Sequence, residues 1–493
     1  MILEESYGLY IENYSHNNHR QPVVGLMKRL TLLSRNELDM IHSQSLEILQ
    51  RIGVAVKSER ATTILAEGGA EIDRDRRSVK IPPPLVEEAL KSAPKEITLR
   101  GRKSRYDIKL TEEGRVHFGP GLNAQQVLDL ETGERRFSTK EDVARLARLA
   151  DALPNIDFVM PLGSALDKPE STQDRHELEA LLNNTEKPII CWAEDGKALL
   201  QIAEAAGGGE EELRRRPIVA FCALTASPLQ HDKRYVENLM EFAEAGIPVV
   251  YGSCFQLGAT SPITVAGSLT QVNAEVLSGL VISQLTRKGA PFIYGCMGSM
   301  LDQYSYVMSH GAPELTLVNA GATDLATHYG LAHFGAGGCS DSKLVDEQAV
   351  AEATETTFVA GLSGTPLIHG LGYIESSLTA SYEMMTITDE IAGMVKRILG
   401  EEVVSPDTIS LENIERVGPG GSFLATPHTI KYVNRLFRTT LMDRKRFEEW
   451  QRDGAKNLGR RARENTKKIL STHQLDPLPR DVEKSIRTIV ERN

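Results

Sequence analysis

The feature that most constrains the fold of this chain is a unit that recurs eight times in its central part. Each unit is a short apolar run that ends in small or polar residues and is followed by a stretch with helical periodicity. The runs begin near Val116, Ile156, Pro188, Pro217, Pro248, Pro291, Leu331 and Pro366. Nearly continuous apolar runs are typical of parallel strands covered on both faces, and spacings of about 30 to 45 residues leave room for crossover helices. The pattern predicts a TIM-type (β/α)8 barrel.

The first 115 residues have a different character. Ser34 and Glu37 form a capping-box pattern before a helical stretch, and three consecutive prolines precede another. The segments ITLRGR and YDIKL have the alternation of a β-hairpin. We therefore predict an N-terminal α+β cap over residues 1–115.

The chain after Gly400 is charged and helical, apart from a glycine-rich stretch. The overall prediction is an α/β protein in which a catalytic (β/α)8 barrel spans 116–400. A helical C-terminal extension follows at 401–493, and its loop at 418–429 is expected near the barrel mouth.

The composition narrows the classes of partner and location. The 493 residues include 41% apolar residues and carry a formal net charge of −11. This charge argues against a nucleic acid partner, which would need a concentrated basic surface. The N-terminus has no signal-peptide pattern, and we find no uninterrupted apolar stretch near the ~18 residues that cross a bilayer. The sequence predicts a cytoplasmic protein that does not bind membranes.

The five cysteines fit neither a disulfide framework nor a CxxC zinc knuckle, because they are odd in number and far apart. They are Cys191, Cys222, Cys254, Cys296 and Cys339. We expect reduced thiols that pack as small apolar residues. The alternative is a thiolate–imidazole zinc site that includes His333 and His369.

Function in a barrel of this kind belongs at the C-terminal ends of the strands. The predicted ends are rich in aromatic and neutral polar residues, and they lack a nucleophilic triad, a Schiff-base lysine or a phosphate-binding glycine loop. This favours a small uncharged or cationic ligand. Packing is the alternative role for each aromatic or histidine, but Gly370 and Gly372 beside His369 favour ligand approach there. The candidate binding residues are His369, Tyr373, Phe255, Tyr294, Asn123, Phe334, His333 and Glu375.

Several long blocks resemble the trimethylamine methyltransferase superfamily. They lie at 118–157, 258–295, 340–353, 361–391 (GLSGTPLIHGLGYIESSLTASYEMMTITDEI) and 418–429 (GPGGSFLATPHT). The resemblance implies a TIM barrel that moves a methyl group from a methylated amine to the Co(I) centre of a separate corrinoid protein. Archaeal trimethylamine enzymes of this family carry pyrrolysine, in the region of SDSKLVDEQ, whereas this chain has only the twenty standard residues. It is therefore similar to the branch that acts on glycine betaine, proline betaine and carnitine.

A quaternary amine fits the absence of a side-chain nucleophile. The methyl group of a quaternary amine is already activated, since a neutral tertiary amine leaves. The protein then has to hold the donor and exclude water, and aromatic faces suit a cation. We expect Phe255, Tyr294 and Tyr373 to form an aromatic wall, and His369 or Asn123 to hold a donor carboxylate. Glu375 could accept a hydrogen bond, attract the cation or orient His369.

The expected partners are a corrinoid protein, which brings the cobalamin, and a small quaternary amine. Glycine betaine is the leading donor that the resemblance implies. We expect no tightly bound cofactor or metal in this chain, and barrels of this size commonly form homo-oligomers. Two alternatives stay open at this point. One is a zinc-dependent methyltransferase that uses another methyl donor, and the other is a non-catalytic barrel that binds betaine or docks a corrinoid protein.

Overall fold

The computed structural model describes residues 29–73, 78–110, 115–400 and 402–492. The chain divides into two compact units, and the described residues of the smaller one lie within 399–436. The larger unit contains 29–398 and 437–492. The candidate site lies wholly in the larger unit.

Eight parallel segments of the larger unit pair side by side in a closed ring, which we call the barrel. They are β1 (His117–Pro120), β2 (156–159), β3 (Ile189–Trp192), β4 (Val219–Ala226), β5 (Val249–Cys254), β6 (Phe292–Cys296), β7 (His333–Ala336) and β8 (Leu367–Leu371). Each pairs with the next, and β8 pairs with β1. Single bridges join β2 to its two neighbours. Each of the eight predicted apolar runs therefore contributes one segment.

A long helix follows each segment and returns the chain to the start of the next. These helices are α1 (Lys140–Ala152), α2 (Gln173–Asn184), α3 (Gly196–Gly207), α4 (Lys233–Ala245), α5 (Val265–Thr286), α6 (Pro313–His328), α7 (Glu347–Leu362) and α8 (Tyr382–Leu399). A six-residue helix, Glu210–Arg215, follows α3. The alternation of strand and helix makes this a mixed α/β fold.

The barrel interior is a packed core and is closed at the N-terminal end of the strands by a hairpin. Ile97–Leu99 pairs antiparallel with Ile108–Leu110, as predicted from the sequence. The apolar residues of this hairpin share one buried cluster with strand residues such as Ile190, Val250 and Leu367. The open end of the barrel is therefore the C-terminal one.

The N-terminal helices pack against α5. They are Arg35–Glu47, Glu59–Glu67 and Pro83–Ser92, and a second hairpin pairs Glu71–Asp73 with Ser78–Lys80. The predicted capping box of Ser34 and Glu37 begins the first of these helices. By length and composition α5 alone of the described helices could cross a membrane, but most of it is buried. Its apolar character is explained by packing on both sides.

The chain from 437 to 492 belongs to the larger unit and packs on the barrel helices. Its helices are Phe447–Arg452, Leu458–Thr472 and Arg480–Val490. The Glu390 carboxylate on α8 accepts hydrogen bonds from the backbone N–H groups of Thr440, Leu441 and Met442 at 2.6–2.8 Å. These bonds fix the start of this segment on α8.

The smaller unit consists of short helices, Pro406–Ile409, Leu411–Val417 and Pro427–Tyr432. The predicted 418–429 loop lies in this unit and is helical from Pro427 onward. Its location near the barrel mouth stays a prediction.

Candidate functional site

A cavity of about 290 Å³ lies at the C-terminal end of the barrel. Its lining is mostly apolar or aromatic, with a few polar groups, as in small-molecule sites generally. The lining residues are Leu122, Asn123, Trp192, Leu224, Met297, Gly298, His310, Ala336, Cys339, His369, Tyr373 and Ser377. Three of the eight predicted binding residues are thus in this cavity: His369, Tyr373 and Asn123.

His369 is the most unusual group in the lining. Its imidazole stacks on the Phe334 ring, with centroids 4.5 Å apart and planes 9° from parallel. Both ring nitrogens are buried and have no hydrogen-bond partner within the protein. Burial, with the charges of His310 and His333, lowers the pKa of His369 to about 3. The ring is therefore neutral near pH 7 and has one donor and one acceptor free for a ligand.

Tyr373 forms a fixed wall of the cavity. Its hydroxyl donates to the carbonyl of Leu122 and accepts from the N–H of the same residue. The ring lies against Gly121 so closely that a Cβ there would come within 2.2 Å of it. The absence of a side chain at Gly121 thus allows the tyrosine to lie flat beside the cavity.

Asn123 is held from behind by a buried acid. Its backbone has a positive φ of 57°, and its amide nitrogen donates to Glu177 Oε2 at 2.8 Å. Burial raises the pKa of Glu177 to about 7, although hydrogen bonds from Ala165 and Asn123 act in the opposite direction. The Glu177 carboxyl group, which is partly protonated near neutral pH, therefore lies directly behind Asn123 in the cavity wall.

His310 also lines the cavity, although it lies well beyond the end of β6 in the sequence. Its Nδ1 is 3.1 Å from Ser377 Oγ, and its backbone N–H donates to Asp341 Oδ1 at 2.8 Å. Burial is the main cause that lowers the pKa of His310. Like His369, this ring is a neutral polar group.

Asp341 joins three loops at the barrel mouth. Its carboxylate accepts hydrogen bonds from Ser309 and His310 in the loop after β6, and from Ser376 in the loop after β8. Asp341 itself follows β7. One carboxylate therefore fixes the relative positions of the loops that carry His310 and Ser377.

The electrostatics of the cavity suit a small cation. Among the described residues, its lining contains no lysine or arginine, and both of its histidines are neutral. The acids Glu177 and Asp341 lie directly behind the lining. Trp192 offers a ring face, although Arg234 already lies 5.0 Å from its centroid.

Two predicted aromatic residues lie one layer outside the cavity. Phe334 is fully buried beneath His369 and belongs to the barrel core. Phe255 is 1% exposed, and its ring lies behind Gly298, where an added Cβ would come within 2.2 Å of it. They support lining residues and have no surface open to a ligand.

Three other predicted residues point elsewhere. The Tyr294 hydroxyl donates to Asn273 on α5 at 3.2 Å. His333 lies on the same outer face of the barrel, with Nδ1 3.0 Å from the Tyr294 carbonyl. Glu375 forms a bidentate ion pair with Arg135, at 2.7 and 3.1 Å, which places it outside the cavity lining. The predicted aromatic wall therefore contains Tyr373 but neither Phe255 nor Tyr294.

Gly370 and Gly372, beside His369, do not open the wall to a ligand as the sequence interpretation expected. A Cβ at Gly370 would approach the Cys339 sulfur to 2.5 Å, and one at Gly372 would approach Leu162 to 2.8 Å. Both have positive φ. They allow neighbouring segments to pack closely and do not leave open space beside the imidazole.

The cysteines behave as packed thiols. Four are buried, Cys254 is exposed, and burial raises the pKa of Cys222, Cys296 and Cys339 to about 12. Within the part of the chain that the structure describes, no three His, Cys, Asp or Glu side chains come together to hold a metal ion. Nothing in these residues favours the zinc-dependent alternative.

Sequence reasoning missed His310 and did not select Trp192 as a binding residue. Trp192 is the last residue of β3, a position that the strand-end rule itself points to. His310 lies 14 residues after β6, beyond a small hairpin of Ser299–Leu301 with Met308–Ser309. Only the fold of that loop brings it back to the cavity.

Known proteins resemble this chain over nearly its whole length. The family model for trimethylamine methyltransferase matches residues 11–493. A trimethylamine methyltransferase of Desulfitobacterium hafniense is 38% identical over 463 residues, with 93% of each chain covered. A glycine betaine methyltransferase from the same species is 31% identical and covers 94% of this chain and 97% of its own.

A solved structure supports the fold. The crystal structure of the Methanosarcina barkeri monomethylamine methyltransferase has a TM-score of 0.50 and covers 90% of each chain at 12% identity. With the family match and the close relatives, the predicted resemblance is confirmed: the chain belongs to the trimethylamine methyltransferase family and is a methyltransferase.

Proposed function

We propose that this enzyme takes a methyl group from a small quaternary amine, with glycine betaine as the leading donor, and transfers it to the corrinoid of a partner protein. The observation that carries the proposal is the cavity itself, in which apolar and aromatic walls surround two neutral histidines. Its volume of about 290 Å³ suits a small ligand. We further propose that the closed ring is a TIM-type barrel with an N-terminal cap, and that the enzyme is cytoplasmic.

The lining, as far as the structure describes it, supplies binding groups and no activated nucleophile. The only thiol in it, Cys339, is protonated near neutral pH, because burial raises its pKa to about 12. In the proposed reaction, the Co(I) centre of the partner's corrinoid supplies the nucleophile. The N–CH3 bond would break with its electron pair kept on nitrogen, and the methyl group would bond to the acceptor. A neutral tertiary amine leaves, so the protein need not supply a proton.

The residues of this chain would bind and orient the donor. Trp192 and Tyr373 offer aromatic surface to the methylated nitrogen, and a desolvated contact of this kind is worth about 2 kcal/mol. The free N–H of neutral His369 can donate to a carboxylate, with His310 as a second donor. Because these groups are fixed before binding, little ordering is needed when the donor enters.

The acceptor has to reach the open end of the barrel. The hairpin after β6 presents Tyr304, Tyr306 and Val307 there, with exposures of 97%, 75% and 56%. Asp302 accepts hydrogen bonds from the N–H groups of Tyr304 and Ser305, which orders the tip. We propose that this tip is part of the surface that contacts the corrinoid protein.

Trimethylamine is the second candidate donor. It is favoured by the trimethylamine methyltransferase of Desulfitobacterium hafniense, which is 38% identical to this chain, whereas the glycine betaine methyltransferase is 31% identical. Demethylation of a neutral amine would expel an amide anion, which requires an activating group. The described lining offers only neutral histidines, a thiol, a tyrosine already bonded to Leu122, and amide and hydroxyl groups, so the cavity favours a quaternary donor.

A donor panel tests the proposal. The purified enzyme is mixed with chemically reduced cobalamin and with glycine betaine, proline betaine, carnitine or trimethylamine, and the demethylated amine is measured by mass spectrometry. We expect demethylation of one or more quaternary amines and none of trimethylamine. Turnover of trimethylamine alone would contradict the proposed donor class.

A further inference from the structure

The Asn123 side chain is turned so that its amide nitrogen points away from the cavity. This nitrogen donates to Glu177 Oε2 at 2.8 Å and lies 3.5 Å from Ser164 Oγ, and neither acceptor belongs to the cavity lining. Within the described chain, the amide oxygen accepts no hydrogen bond. Because the oxygen and the nitrogen of an amide lie on opposite sides of its carbon atom, the carbonyl oxygen is the end left for a ligand.

Glu177 decides which end of the amide faces the cavity. Its carboxyl group is buried, and Oε1 accepts a hydrogen bond from the backbone N–H of Ala165 at 2.9 Å. A backbone N–H can only donate, so Oε1 stays an acceptor and a proton on this carboxyl group sits on Oε2. Ionised Oε2 accepts from the amide nitrogen of Asn123. Protonated Oε2 would donate to the amide oxygen instead, once the amide had turned by half a rotation.

Both forms of Glu177 are present near neutral pH. Burial raises its pKa to about 7, and the charge of Asp174, three residues earlier on α2, acts in the same direction. Cys191, on β3, adds no charge, because burial raises the pKa of its thiol well above the usual value. Among the described residues, no lysine or arginine pairs with Glu177, since Lys140 on α1 and Arg175 on α2 pair with other acids. Hydrogen bonds alone therefore stabilise its ionised form.

We propose, on the basis of the proposed function, that Glu177 is a positioning residue that holds the carbonyl oxygen of Asn123 toward the methylated nitrogen of the donor. The positive charge of a quaternary nitrogen is spread over its methyl groups, which contact a carbonyl oxygen through C–H···O interactions. The same oxygen repels a carboxylate. Asn123 therefore binds the cationic end of a betaine, and His369 binds its carboxylate.

The proton of Glu177 should control the affinity of the cavity for a cation. When Glu177 is protonated, the Asn123 amide presents its N–H groups, which repel a quaternary ammonium. Cation binding and the ionisation of Glu177 therefore favour each other. By reciprocal linkage, a cation that lowers the pKa of Glu177 by about one unit binds about 10-fold more tightly to the ionised form. His369 and His310 stay neutral, because burial lowers the pKa of each ring below its usual value.

Titration calorimetry with tetramethylammonium tests this role without cobalamin or turnover. For the full-length wild-type protein, we expect the dissociation constant to fall by roughly 5-fold between about pH 6 and about pH 8. In Glu177→Gln, the side-chain oxygen has to accept from Ala165, so the side-chain nitrogen faces Asn123 and the variant mimics the protonated acid. Its dissociation constant should not change with pH and should exceed the wild-type value at about pH 8 by roughly 10-fold.

Two further variants separate the effect of the amide from that of the charge. Asn123→Gly removes the amide but keeps the Glu177 carboxyl group, and the backbone φ of 57° is one that glycine adopts freely. We expect this variant to lose most of the pH response. A full response would mean that the charge of Glu177 acts directly, which overturns the positioning role. Asp174→Asn is the control for the neighbouring acid and should keep the response.

Failure of the proposed function gives a different result. If neither tetramethylammonium nor glycine betaine binds at any pH, the quaternary-amine function is wrong and the role of Glu177 falls with it. If both bind with dissociation constants that do not respond to pH, or if Glu177→Gln responds as the wild type does, the donor class stands and the positioning role is wrong.

Discussion

At the scale of single residues, His369 has the clearest chemical signature in the cavity. An imidazole that loses water at both nitrogens without gaining a partner destabilises the folded protein by roughly 1–3 kcal/mol for each unsatisfied group. One face of the ring is covered by Phe334, and the ring lines the cavity. A ligand bound in the cavity would therefore supply the missing hydrogen-bond partner.

Replacement of His369 tests its role in binding. A hydrogen bond to a charged group is worth about 1.5–3 kcal/mol, so His369→Leu should lower kcat/KM for a carboxylate-bearing donor identified in the donor panel by roughly 10- to 100-fold. The change should appear mainly in KM, because the residue binds donor and transition state alike. His333→Leu is the control, since His333 is also buried but lies outside the cavity. Equal losses in both variants would contradict the assignment.

Glu177 should make the stability of the protein depend on pH. Burial raises its pKa from 4.5 to about 7 in the folded protein. Its contribution to stability is therefore complete below about pH 4.5 and is lost as the pH rises toward about 7.

The free energy of unfolding of the wild-type protein should fall between about pH 5 and about pH 7.5. In the variant Glu177→Gln this fall should be smaller by roughly 2–3 kcal/mol. Urea unfolding at fixed pH values measures this. Some pH dependence should persist, because burial also raises the pKa of Asp389 to about 6. An unchanged pH profile would exclude Glu177 as its source, and the exposed Glu141→Gln change provides the baseline.

The sequence predicted a cavity-lining residue only where its position near the C-terminal end of a strand was enough to place it in the cavity. His369, Tyr373 and Asn123 follow from the rule that function lies at strand ends. Tyr294 and His333 lie outside the cavity, because successive side chains of a strand face opposite sides and both of these lie on the outer side. The sequence does not show which of two apolar neighbours faces inward when both faces are buried.

At the scale of elements, the hairpin after β6 is one exposed part of the barrel mouth, with Tyr304 97% and Tyr306 75% exposed. We expect Tyr304→Ser/Tyr306→Ser to lower the methyl-transfer rate with the corrinoid protein by about 10-fold or more, as the loss of interface aromatics does elsewhere. The rate with free reduced cobalamin should be unchanged, because neither tyrosine lines the cavity. Met40 supplies the control, since it is 65% exposed on the N-terminal helix Arg35–Glu47, and Met40→Ser should retain both rates. Equal loss of both rates in the hairpin variant would place the tyrosines in catalysis.

The barrel strands were the most predictable elements. Their apolar runs are buried on both faces and are separated by clear helical patterns, so all eight were located. β2 is paired only by single bridges, yet its run IDFVM is as apolar as the others. Loop folds were not predictable in this way, because the hairpin that carries the chain to His310 depends on tertiary contacts.

At the scale of the whole molecule, the N-terminal hairpin is structurally part of the barrel. Its residues Ile97, Leu99, Ile108 and Leu110 are at most 4% exposed and complete the barrel core. The sequence predicted this hairpin correctly, but it did not show that the hairpin fills the end of the barrel. Nor did it indicate that the chain after 400 divides at 436 between two units.

A charge in this hairpin should destabilise the entire protein. We expect Leu99→Asp to lower the free energy of unfolding by at least about 3 kcal/mol, because it buries an unpaired carboxylate. Thermal or urea unfolding followed by circular dichroism measures the change. Lys109→Ala, in the same hairpin, removes only an exposed ion pair with Glu96 and should change the value by less than about 1 kcal/mol. A small effect at Leu99 would mean that the hairpin is a separate element.

The bonds of Asp341 to three loops have a consequence for engineering this enzyme. Since one carboxylate holds the loops after β6 and β8 to the one after β7, a length change in any of them displaces the other two. Libraries that alter one loop at a time should therefore yield mostly inactive enzymes. New donor preferences are more accessible through combined substitutions in all three loops, with Asp341 and its hydrogen-bond donors left in place.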